Sequence, residues 1–150
     1  MPLAIRPFFA AVRVLAIDFG LKRTGLAVTD PARIIASALA TVSTGELFGW
    51  LKAYLGREGV EGFIVGLPVD LNGRDTDATP HVRTFITELE KRFPAQWVET
   101  VDERLTSRMA QRTLLESGIG RMARREKGAL DRISATILLQ GWLEQRARRG

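Results

Sequence analysis

The sequence predicts an α/β fold, a mixed five-stranded sheet with helices on both faces. Three observations carry that expectation. Three strand-like stretches come first, at a spacing that suits an antiparallel meander. Helical and strand patterns then alternate, as in βαβ units. The stretch Glu61-Gly-Phe-Ile-Val-Gly66 is short and apolar throughout, as a strand covered on both faces should be.

The first strand is expected over Val12–Asp18, where an apolar run (Val12, Val14, Leu15, Ala16, Ile17) ends in a carboxylate. Gly20 lies in the connector Phe19-Gly-Leu-Lys-Arg, and the strand pattern resumes over Thr24–Thr29. Asp30-Pro31 marks a turn, and Ile34–Val42 supplies the third strand. Ser43 with Glu46 reads as a capping box for a helix carrying Leu47, Trp50, Leu51, Tyr54 and Leu55, stopped by Gly56 and Gly59. A helix between that third strand and Glu61–Gly66 reads as a βαβ crossover.

Leu67–Asp77 is a loop. Thr79-Pro80 is an N-cap followed by proline, opening a helix whose apolar face is Val82, Phe85, Ile86, Leu89 and Phe93. Pro94 ends it, and Gln96–Asp102 is the fifth strand, running into Glu103 and Arg104. A helix is expected over about Ser107–Glu116 and an aperiodic basic loop over Gly118–Gly128. The last helix, Ala129–Arg146, is expected to bury Leu130, Ile133, Ile137, Leu138 and Trp142. Residues 1–11 read as an extension and 147–150 as a basic tail, so one domain is expected over 1–150.

The 150 residues are 45% hydrophobic and 26% charged, which excludes a disordered chain. No apolar run approaches the ~20 residues of a membrane span. The first eleven residues, interrupted by Pro2, Arg6 and Pro7, do not read as a signal peptide. There is no cysteine, which fits a cytoplasmic protein. The net charge of +5 is uneven: residues 1–103 carry 11 Lys/Arg against 13 Asp/Glu, residues 104–150 carry 11 against 4. A basic segment on a near-neutral body points to a polyanionic partner.

Four acidic positions fall at element ends that could meet: Asp18, Asp102, Glu103 and Asp131. Such a cluster suits a hard divalent cation, and two ions about 4 Å apart suit phosphodiester cleavage. One histidine and no cysteine argue against zinc. Each acid also has an ordinary reading. Asp131 stands in a helix's first turn, where the dipole favours it, and Asp18 can accept bonds from its own turn. Asp102 or Glu103 can pair with Arg104. Strand alternation lets only one of these two face the site, and parity alone does not choose. His81 reads as a surface residue. Thr106 and Ser107 most simply cap the next helix, though a helix N-terminus also binds phosphate. Arg121, Arg124, Arg125 and Lys127 suit phosphate contacts.

Taken in order, IDFGLKRTGLAV, VGLPVDLNG, VDERLTS and KGALDRISATILLQ resemble the motifs of the YqgF/RuvX family over about residues 12–143. That family is described as RNase H-like Holliday junction resolvases and pre-16S rRNA nucleases. The resemblance implies an RNase H-like fold and metal-dependent endonuclease activity on pre-rRNA, four-way junction DNA or both. It implies Mg²⁺ or Mn²⁺, about two ions, held by Asp18, Glu103 and Asp131, with Glu103 favoured over Asp102. It also implies that Lys22, Arg23, Arg104 and Thr106 lie around the groove. A junction resolvase needs two active sites, so that role implies a homodimer. The loop reads PVDLNG where many members read PLNMDG, which leaves Asp70 without an implied role. Two rival readings remain at this point. D-x-G-x-x-x-x-G-x-A also resembles the phosphate hairpin of the actin and sugar-kinase ATPases, and the basic C-terminal third alone would suit a non-catalytic nucleic-acid module.

Overall fold

The computed structural model describes residues 12–70, 72–103 and 128–149. Its elements are β1 (Arg13–Asp18), β2 (Arg23–Thr29), β3 (Ala36–Ser43), a 3₁₀ turn (Thr44–Glu46), α1 (Leu47–Arg57), β4 (Val60–Leu67), α2 (Thr79–Arg92), β5 (Trp97–Asp102) and α3 (Ala129–Arg149). The helix expected near 107–116, most of the basic loop, and Arg104, Thr106, Arg121, Arg124, Arg125 and Lys127 lie outside the described residues.

The five strands form one mixed sheet in the order β3-β2-β1-β4-β5. β1–β2 and β2–β3 pair antiparallel, whereas β1–β4 and β4–β5 pair parallel. The meander is therefore as expected, and α1 is a crossover between parallel strands that passes over β2 and β1, so that β4 lies beside β1. The physical reason is burial. Val14, Leu15, Ala16 and Ile17 of β1 are all fully covered, which requires a strand on each side and a helix layer on each face. β3, half exposed and rich in Ala, Ser and Thr, is suited to an edge.

Alternation along the strands divides the core in two. Leu15, Ile17, Leu26, Val28, Phe63 and Val65 pack against Leu47, Leu51 and Tyr54 of α1 and Val82, Phe85 and Leu89 of α2. The opposite face offers Val14, Ala16, Ala27 and Ile64 to Ala135, Leu138, Leu139 and Trp142 of α3. Large side chains thus face the helix pair, and small ones face α3. Each large side chain fully buried contributes roughly 1.5–3 kcal/mol. Trp142 adds a polar fastening, since its indole Nε1 donates to Glu99 Oε2 at 2.6 Å while its ring stacks on Trp97 at 5.7 Å.

Several local expectations are corrected. The Ser43–Glu46 capping box does not form, because Ser43 makes no side-chain cap bond. Thr44 ties the entry to the β1–β2 turn instead, its N–H donating to Lys22 O at 3.0 Å and its hydroxyl to Gly20 O at 2.6 Å. Thr79 is not the N-cap of α2; Ala78 is. The Thr79 hydroxyl, buried, donates to Pro68 O at 2.5 Å and accepts from the Thr76 N–H at 2.8 Å, so it straps the loop leaving β4. β3 begins at Ala36 because the Ile34 and Ile35 N–H groups both donate to Asp30 Oδ1 at 2.7 Å. Leu130 is 44% exposed rather than core. Ala135 and Leu139 are buried in α3, and Ile133 is half-buried. Among the described residues, no helix is long and apolar enough to cross a membrane.

Candidate metal centre

Asp18 ends the central strand on the α3 face, the face it shares with Val14 and Ala16. Its partner on β2 is Gly25, and Gly25 in turn pairs with Thr41 on β3. On the other side, Ile17 pairs with Val65 of β4, so Gly66 flanks Asp18 there. Two glycines therefore bracket one carboxylate. A Cβ at Gly25 would overlap the backbone carbonyl of Asp131 and lie 2.9 Å from its Cα. A Cβ at Gly66 would overlap the Glu103 carboxylate and stand 2.5 Å from Leu138 Cδ1. Missing side chains on both sides make room for the second and third acids.

Packing puts Glu103, rather than Asp102, on the face of Asp18. Trp97 and Val101 of β5 pack on the α3 side, and Val98 packs on the other. Glu103 has the parity of Trp97 and Val101, and its carboxylate reaches over Gly66 to hydrogen-bond with Asp18. Asp102 acts on Glu103 from the adjacent position through its charge.

Burial chiefly, then the charge of Glu103, the bond to it and the charge of Asp131, push the Asp18 carboxyl up to about 8. Burial also raises Glu103, with the charge of Asp102 adding and the Asp18 bond opposing. The pair thus holds a shared proton, because two carboxylates this close cannot both ionise without a countercharge.

Asp131 stands in the first turn of α3. Its carboxylate pairs with Arg23 at the start of β2, Nε to Oδ2 at 3.1 Å. The helix start is seated on the sheet edge by Thr41, whose hydroxyl donates to Gly128 O at 2.5 Å and accepts from Arg132 Nη1 at 3.3 Å. Lys22 is exposed in the β1–β2 turn, at the same end of the sheet. The structure thus joins Asp18 to Glu103 and brings Asp131 within electrostatic range. Among the described residues, no three acidic or imidazole side chains are gathered as a ready cation cage. The donor set itself, oxygen only and with two half-buried carboxyls in hydrogen-bond contact, fits a hard divalent cation.

Gly25, Gly66 and Thr41 are the positions that reading the sequence missed. A glycine inside a strand pattern signals close approach of another group, which was the available clue for the first two. Thr41 carried no signal of its own.

A mixed sheet of this order, with an acid closing its central strand and a helix laid across that face, defines the RNase H-like class. The solved structure of T. thermophilus RuvC, in complex with a Holliday junction substrate, shares the fold with a TM-score of 0.56 at 17% identity, covering 91% of this chain and 96% of its own. The chain belongs to the RuvX family, described as Holliday junction resolvase, whose model matches residues 12–145. A relative from Porphyromonas gingivalis, named for a pre-16S rRNA nuclease, is 51% identical over 132 residues, covering 88% of this chain and 96% of the relative. One from Bacteroides thetaiotaomicron with the same name is 46% identical over 134 residues, covering 89% and 97%.

Proposed function

We propose that this protein is a divalent-metal-dependent endonuclease that cleaves structured nucleic acid, with pre-16S rRNA as its substrate and four-way junction DNA as the second substrate to test. The observation that carries the reading is the Asp18–Glu103 carboxyl pair with Asp131 beside it on one sheet face. The names of the relatives support the RNA, and the family's description supports the junction.

Asp18, Glu103 and Asp131 hold Mg²⁺ or Mn²⁺ in this reading. The bound ions supply activation of water and neutralisation of the leaving oxygen in phosphodiester hydrolysis. Asp18, on the rigid central strand, fixes the position of the site. The proton that Asp18 holds against Glu103 would leave when a cation binds, so metal uptake would release it. Lys22 and Arg23 contact the phosphate backbone beside the carboxylates, and Arg104, Thr106, Arg121, Arg124, Arg125 and Lys127 extend that contact. The role is cytoplasmic. Junction resolution would further require a homodimer, whereas trimming an rRNA end would not.

The test compares cleavage of pre-16S rRNA and of a four-way junction by wild type and Asp18→Asn with Mn²⁺. Asp18→Asn is expected to lose cleavage and to retain binding. Wild-type activity in that variant on both substrates would sink the assignment.

A further inference from the structure

We propose that Arg23 is an exchangeable counter-ion, which holds Asp131 while the site is empty of metal and turns to the nucleic-acid phosphate once a cation takes that carboxylate. The inference rests on the metal-centre reading above and goes beyond it by assigning one guanidinium two successive partners.

The geometry carries the argument. Arg23 and Asp131 are 108 residues apart and meet because β2 and the first turn of α3 touch at Gly25. The Arg23 side chain is 47% exposed and that of Asp131 25%, so the pair sits at the mouth of the site rather than inside it. The guanidinium approaches through Nε alone, not through the two-pronged face that would bind a carboxylate most firmly. Such a single, half-exposed contact is weak and easily exchanged. That carboxylate is the one Asp131 would offer a cation. A divalent ion and a guanidinium cannot share it closely without mutual repulsion, so one displaces the other. The displaced side chain is long, always charged and suited to phosphate. Lys22, one residue earlier and exposed, lies in the same turn and provides an internal comparison.

The pair therefore couples two binding events. Without metal, Arg23 is engaged and the polyanion loses one contact. With metal, that contact becomes available.

The experiment measures Mn²⁺ affinity by electron paramagnetic resonance of the free ion, without nucleic acid, and separately the affinity for a labelled RNA hairpin in Ca²⁺. Arg23→Gln is expected to bind Mn²⁺ at least about threefold more tightly than wild type. It should bind the hairpin about threefold or more weakly. Lys22→Gln should weaken the hairpin and leave Mn²⁺ affinity within about twofold, since its charge is not on Asp131. In an Asp131→Asn background the Arg23→Gln effect on Mn²⁺ should vanish. If Arg23→Gln leaves Mn²⁺ affinity unchanged or lowers it while wild type binds the ion, Arg23 is not a competitor and the proposal fails. If wild type itself binds no Mn²⁺, the metal-centre reading falls, and this inference with it.

Discussion

Gly25 lies directly opposite Asp18 in the β1–β2 ladder, and the backbone of Asp131 occupies the space a side chain at Gly25 would need. The distance between the first and third acids is thus set by an absent methyl group. Gly25→Ala is expected to lift the start of α3 off β2. Overpacking of this kind costs about 1–3 kcal/mol, read as a lower urea midpoint. Cleavage measured where the variant is still fully folded should also fall, because Asp131 moves with its backbone. A variant of wild-type stability and activity would show that the contact at Gly25 does not position the acid.

The two candidates at the end of β5 separate by substitution. Glu103→Gln is expected to reduce metal-dependent cleavage by about 100-fold or more, and Asp102→Asn by less than about tenfold. Glu103 meets Asp18 across Gly66, whereas Asp102 acts from the next position. Equal losses from the two, or a greater loss from Asp102→Asn, would reverse the assignment.

Stability should depend on pH through Asp18. Its carboxyl has an ordinary value of 3.8 when unfolded and about 8 in the folded protein. The folded state holds the proton more tightly, so this contribution is full below about pH 4 and is lost as pH rises toward 8. Chelated wild type should therefore be less stable at pH 8.5 than at pH 5. Asp18→Asn cannot titrate there, so its profile should be flatter. At pH 8.5 it should exceed wild type by about 1 kcal/mol or more. Parallel urea midpoints across that range would contradict the burial of an ionisable Asp18. Added Mn²⁺ should restore wild-type stability at high pH by supplying the countercharge.

Thr41 is expected to matter through the start of α3. Thr41→Val keeps the shape and removes the hydroxyl that links Gly128 and Arg132 to the edge strand. The loss should be about 1 kcal/mol. Hydrogen exchange should accelerate in the first turn of α3 and stay unchanged in β1 and β4. Uniform acceleration would mean that the bond supports the whole fold and not the helix start alone.

Much of this architecture was legible because hydrophobic period survives in the sequence. The runs ending at Asp18 and Gly66 could be covered only on both faces, and Leu47, Leu51 and Tyr54 mark a single helical stripe. Asp18 was legible as a carboxylate closing an apolar strand. Capping was not. Ser43 and Thr79 have the residue types of N-caps, but long-range partners at Gly20, Lys22 and Pro68 outweigh the local pattern. Strand parity alone could not choose between Asp102 and Glu103, since it has meaning only once the face taken by α3 is known; the preference for Glu103 came from the family resemblance. Leu130 shows the same limit, as helical spacing alone does not reveal which way a first turn rolls when its backbone is pressed onto Gly25.

The carboxylates at 18, 103 and 131 come from β1, the end of β5 and α3, elements made in that order. A growing chain on the ribosome therefore completes the first two long before it makes the third. Until α3 has been synthesised and has docked over Gly25, the nascent protein would, if these acids form the site, carry only part of it. On the proposed reading, a nuclease born beside ribosomal RNA is inert during its own translation and acquires activity as one of its last folding events.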